Sequence, residues 1–162
     1  MASFGKPTDA LTPELSLLAQ EADALSAVLH ALEAEHAALL EGDAEALETA
    51  VAAKQTALSN HAQISRQRES AGLRNSITDY VRQHPKLTNG QRVTGMEIAD
   101  RLRATGENCQ ALNQRNGRLI AGLRERTQSA LTVLRAGEVG VMLYGQQGES
   151  SKDMGSRVLG TA

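Results

Sequence analysis

Leu11, Leu15, Leu18, Ala22, Leu25, Leu29, Leu32, His36 and Leu39 follow one another at alternating steps of four and three, and seven of the nine are leucine. A stripe of that width must be buried against another helix, because alone it would be an exposed apolar seam. Thr12-Pro13-Glu14 supplies the start: Thr12 can cap, Pro13 suits the first helical position, and Glu14 favours the positive end of the dipole. The pattern predicts a first helix running to about Glu41. Gly42 can take the left-handed conformation that stops it, and Asp43 can cap the next helix. A connection this short makes the two helices antiparallel neighbours.

The second helix is predicted over about Ala44 to Ser70, with a weaker seam of Leu47, Val51, Lys54, Leu58, His61 and Ile64. Lys54 lies on that seam, either snorkelling to water or making a polar contact with a partner helix. Gly72 ends the segment. A short helix over about Asn75 to Gln83 follows from Ile77, Tyr80 and Val81, and Pro85 closes it. Lys86 to Val93 reads as loop, with Asn89-Gly90 as a turn pair. Thr94-Gly-Met-Glu97 matches a capping box. From it a second strict seam leads through Leu102, Thr105, Cys109, Leu112, Asn116, Leu119, Leu123, Arg126, Ala130 and Val133 to Gly137. Asn116 in mid-seam reads as a register device. Gly106, Gly117 and Gly122 suggest close backbone approach, with another helix crossing near Asn116-Gly117. The expected fold is all-α: an antiparallel long-helix bundle or coiled coil of three main helices plus a short one.

After Gly137 the pattern changes. Gly137, Gly140, Gly145, Gly148, Gly155 and Gly160 punctuate the end of the chain, around two apolar islands: Val139 to Tyr144, and Met154 to Leu159. The division predicted is a helical domain over 1–137 and a flexible arm over 138–162 without fixed structure in the free protein, especially beyond Gly145. A frayed terminus has little use for Val141, Met142, Leu143 and Tyr144 in a row, so the cluster reads as a docking element.

Composition narrows the class. With 162 residues, one domain is the default. Aromatics make up 2%, so the apolar 41% is chiefly Leu and Ala, which suits helix–helix seams better than a sheet or an aromatic enzyme core. The net charge of −2 hides an asymmetry: residues 1–72 carry 4 basic and 11 acidic side chains, and residues 73–162 carry 13 and 8. These charges either solvate two faces or help an acidic hairpin choose a basic helix. Cys109, the only cysteine, excludes an internal disulfide and a cysteine-based metal site and reads as a buried small residue. No secretory signal or membrane span is evident, so a cytoplasmic protein is expected.

The chemistry-bearing patterns come out empty. Glu33-Ala-Glu-His36 holds one Glu-x-x-His pair, but a helical di-iron site needs two and further glutamates. His36 therefore reads as a polar residue tolerated on the seam. No phosphate loop, zinc-protease or nucleophile-elbow motif occurs. The arginines of the last helix are interrupted by Asp100, Glu107 and Glu125 and have no interleaved aromatics, so nucleic acid is not an expected partner. An enzyme and a cofactor are not expected.

Asn113-Gln-Arg-Asn116-Gly117-Arg-Leu119-Ile120, followed by Leu143-Tyr144-Gly145-Gln-Gln-Gly148, resembles the FlgN family of flagellar export chaperones. The turn Leu39-Leu-Glu-Gly-Asp-Ala-Glu-Ala-Leu47 and Lys54 on the second helix fit the same pattern, and the resemblance covers about residues 11–148. The family's tyrosine motif often reads Tyr-Gly-Pro, whereas Gln146 stands here. The resemblance implies a cytoplasmic chaperone of the flagellar type III system. It would bind hook-associated junction proteins, keep them unpolymerised and deliver them to the export gate and apparatus. The C-terminal region would contact cargo and gate. Val141, Met142, Leu143, Tyr144 and Gly145 are then the expected partner-binding residues, with Met154, Val158 and Leu159 as a second patch. Asn113, Asn116, Gly117 and Lys54 are expected to be structural. The rival expectation is a coiled-coil assembly factor without cargo, and an unfilled groove could also give a weak homo-oligomer.

Overall fold

In the computed structural model four helices follow in order: α1 Pro13–Glu41, α2 Ala44–Ser70, α3 Ile77–Gln83 and α4 Asn89–Gln146. The structure describes residues 10–73 and 76–146, with side chains only as far as 136. Contacts divide the chain into two units, Met1–Ile120 and Ala121–Ala162, and α4 contributes to both.

The first turn forms as its residues dictate. Thr12 Oγ1 accepts from the Leu15 amide at 3.2 Å. Gly42 sits at φ 71°, and the Asp43 amide donates back to Ala38 O at 3.1 Å. Asp43 then accepts from the Ala46 amide at 3.0 Å, closing one helix and opening the next. Arg68 pairs with Glu21, and Lys54 with Glu35, so α1 and α2 run antiparallel. Leu25 lies against Cys109 and Leu32 against Asn116, so α4 returns parallel to α1.

Within the first unit α1 is the central helix and buries two adjacent stripes. One is the expected seam, of which Leu15, Leu18, Ala22, Leu32 and Leu39 are buried. The other is Glu21, Ala24, Val28, Ala31, Glu35 and Ala38, stepping by three and four. A helix flanked on two sides needs this broader face. Leu15, Leu18 and Ala22 pack with Leu73, Val81, Leu87 and Ile98; Val28 and Leu32 pack with Cys109. On α2 only Ala50 is buried. Ala57, rather than the expected Leu58, faces the core, and Leu58 is 47% exposed.

The start of α4 lies earlier than the sequence pattern suggests. Thr88 Oγ1 accepts from the Gln91 amide at 3.2 Å, and Gln91 Oε1 accepts from the Thr88 amide at 3.1 Å. This reciprocal box displaces the expected one at Thr94/Glu97, and Asn89-Gly90 forms the first helical turn instead of a reverse turn. First-turn amides have no intrahelical acceptor in any case, so Asn and Gly cost little there. Arg92, placed by this early start, donates to Val81 O at 2.8 Å, Arg82 O at 2.8 Å and His84 O at 2.7 Å, closing the C-terminal end of α3.

The glycine expectations also change. A Cβ on Gly117 would meet nothing within 4 Å, so no helix crosses against it. The tight approach is at Gly95, where a Cβ would stand 2.8 Å from Val81 Cγ2 and 3.1 Å from Leu15 Cδ2. At the far end, the backbone stays helical past Gly137 to Gln146. The segment 138–146 is thus helix where an irregular arm was expected. No proline follows Pro85 to break the hydrogen-bond ladder, and each glycine costs only about 1 kcal/mol. The remainder of the arm lies outside the described residues.

Candidate functional site

Two features of the chain are unusual for a plain apolar bundle. The first is a polar layer in the first unit. Asn116 is 1% exposed, and its Nδ2 donates to Leu32 O and to Glu35 Oε2, both at 3.0 Å. Its Oδ1 lies 2.8 Å from His36 Nδ1, which places the donating proton on that nitrogen. Glu35, also 1% exposed, uses its other oxygen to hold Lys54 of α2. The chain of contacts His36–Asn116–Glu35–Lys54 therefore ties α1, α2 and α4 at one height. A buried carboxylate is costly unless paired and hydrogen-bonded, and here both oxygens are occupied. Lys54 makes the polar contact that was one of its two alternatives, and Asn116 lies buried in the same layer. His36 belongs to the same layer. Asn113 and Gly117 are exposed and take no part in it.

Glu21 and Arg68 form a second, partly buried ion pair two heptads away, with Arg68 Nε 2.7 Å from Glu21 Oε2. That contact is ionic without a well-directed N–H; the same guanidinium donates through Nη1 to Leu73 O. Sequence reasoning missed Glu21 and Glu35 because glutamates off the leucine seam look like solvated positions. Their spacing of fourteen, matched by Lys54 and Arg68 on the antiparallel helix, was the available signal.

The second feature belongs to the later part of α4. The expected seam is covered as far as Leu119, but Leu123 is 43% exposed and Val133 71%, and Arg126 and Ala130 are exposed as well. Leu131 and Leu134 are 48% and 65% exposed. The pairing of α1 with α4 is offset by 84 residues at both Leu25/Cys109 and Leu32/Asn116. Both contacts lie within the first unit. Among the expected partner-binding residues, Val141, Met142, Leu143, Tyr144 and Gly145 lie on helical backbone but their side chains are outside the described residues. Met154, Val158 and Leu159 also lie outside them.

Cys109 is buried as expected, and its thiol is pushed above the usual cysteine range, first by burial and then by the nearby charge of Glu33. Among the described residues no cluster of His, Cys, Asp or Glu could hold a metal ion, and no helix is long and apolar enough to cross a membrane.

The first unit is thus a helical bundle held by a polar layer, and the later part of α4 carries exposed apolar side chains. The sequence pattern of the family described as FlgN protein matches residues 14–152. The chain is 37% identical over 113 residues to the flagella synthesis protein FlgN of Salmonella typhimurium, covering 65% of this chain and 80% of that protein. The same values hold for the flagella synthesis protein FlgN of Salmonella typhi. No solved structure matches the chain. The chain belongs to the FlgN family.

Proposed function

We propose that this chain is a cytoplasmic export chaperone that binds hook-associated junction proteins, keeps them from polymerising early and passes them to the flagellar export gate. The observation that carries the reading is the uncovered apolar face of α4 at Leu123, Leu131 and Leu134 in a member of this family. Subunits that polymerise through amphipathic helices need those helices covered before export, and an apolar helix face can cover one. A helix lying along an apolar face covers it without a covalent step and leaves again when the contact is exchanged. In this reading Val141, Met142, Leu143 and Tyr144 extend the same helix as further anchors toward cargo or gate.

Co-purification of the full chain with the junction proteins tests the reading, beside the double variant Leu143→Ala/Tyr144→Ala. A one-to-one complex supports the chaperone function, and its weakening in the variant at unchanged helix content assigns the anchors. Absence of any complex, with the chain forming a stable homo-oligomer, would identify a coiled-coil assembly factor instead.

A further inference from the structure

The charges along α4 specify what kind of helix its uncovered face accepts. At 3.6 residues per turn, Leu123, Thr127, Ala130, Leu131 and Leu134 fall within about 100° of arc. Thr127 turns its hydroxyl back to Leu123 O at 3.0 Å, so the hydroxyl is satisfied within the helix. Arg126 borders this face on one side, and Arg124 and Arg135 border it on the other. Arg124, Leu131 and Arg135 lie side by side on the exposed surface of α4. Glu125, the one carboxylate between Ala121 and Ala136, points to the opposite side of the helix. Among the described residues none of the three arginines forms an ion pair. Glu138 is the next charge along and marks the end of the basic strip.

We infer that the segment 121–136 of α4 docks an amphipathic helix whose apolar stripe is flanked by aspartate and glutamate. The inference rests on the chaperone reading and names its partner's chemistry. A second copy of this chain is the wrong occupant, because pairing two such faces sets arginine rows against each other. A neutral or basic helix would satisfy the leucines but leave the guanidiniums unanswered. The stretch from Leu123 to Leu134 is about 17 Å long, so three to four turns of partner helix suffice. Charge flanking an apolar seam selects partner and orientation more than it adds affinity, so the signature is discrimination and salt dependence.

The test uses two labelled synthetic helices with one leucine face, flanked by Glu in one and Lys in the other. Fluorescence anisotropy measures their binding to the full chain at about 0.05 M and 0.5 M salt. The Glu-flanked helix is expected to bind about tenfold tighter at low salt, or ~1.4 kcal/mol, the order that three exposed ion pairs supply. The gap should shrink at high salt and reverse in R124E/R126E/R135E. Both helices should be lost in L123A/L131A/L134A. All six positions are exposed, so helix content serves as the folding control. Equal affinity, preference for Lys, or no binding of either helix overturns the inference. So does a dimer that L123A/L131A/L134A dissociates, since the face would then belong to a second copy. If a junction protein binds wild type and R124E/R126E/R135E alike, the charge inference falls and the chaperone reading stands. If it binds neither, the chaperone reading falls.

Discussion

Replacing Lys54 with Met should destabilise the fold by leaving Glu35 as a buried charge with one oxygen unanswered. Loss of one partner from a buried ion pair typically costs 3–5 kcal/mol. Here the Glu35 side chain is 2% exposed while that of Lys54 is 20% exposed. Water can therefore approach from the lysine side, and Asn116 still donates to Oε2. The expected cost is at the low end, about 3 kcal/mol. A domain of this size shifts by ~2–4 °C per kcal/mol, so the melting temperature should fall by about 6–12 °C. The companion variant Glu35→Met/Lys54→Met removes both charges and leaves one Asn116 N–H without its acceptor, at roughly 1–3 kcal/mol. It should be no less stable than the single variant. Urea unfolding followed by helix content gives both numbers, and an unchanged denaturant slope certifies that the native and unfolded states are the same in each. A Lys54→Met loss below about 1 kcal/mol, or a double variant clearly worse than the single, would refute the claim that the pair is held by burial.

Leu18→Ala, at a fully buried site, should cost ~2–5 kcal/mol in the same assay, whereas Leu131→Ala should stay within about 0.5 kcal/mol. Equal losses would mean that the later part of α4 is covered. Gly95→Ala should lose about 1–3 kcal/mol, since its Cβ would meet Val81 and Leu15; Gly117→Ala, with open space around it, should gain up to about 1 kcal/mol. Thermal melts of the two variants should move in opposite directions. Burial, and then Glu14, raises the Tyr80 hydroxyl above its ordinary value, as burial and Glu33 raise the Cys109 thiol. A folded pKa raised above the unfolded one gives stability that is complete below the unfolded value and is lost as pH rises through the folded one. Stability should therefore decline above about pH 8.5, and Cys109→Ala should postpone the onset toward pH 10. An identical alkaline profile in the variant would remove the thiol from the account.

The hairpin was legible because its signals are local. Thr12, Pro13, Gly42 and Asp43 each act on their own backbone; α1 begins and ends, and α2 begins, where those residues put them. The start of α4 was harder to read because two capping boxes compete within seven residues. What decides for Thr88 and Gln91 includes Arg92 reaching the α3 carbonyls, a tertiary contact that no window of sequence contains. Asn116 stood out as an amide on a seam, but its partners did not. Glu35 sits one residue from His36, on the second buried stripe of a helix whose leucines advertise only the first. The exposure of Leu123 and Val133 was likewise invisible from α4 alone, since their spacing continues the buried seam without a break. Burial is a tertiary property, and a seam's own spacing does not carry it.

The polar layer also acts as a ruler. Asn116 is the one amide on the α4 seam between Leu102 and Val133, so it can meet Glu35 and His36 in only one alignment. Sliding α4 by a heptad, about 10 Å, would bring Leu123 or Cys109 to the buried carboxylate and leave one of its oxygens without a donor. The residue that locks the helices together thus also makes every neighbouring alignment costly.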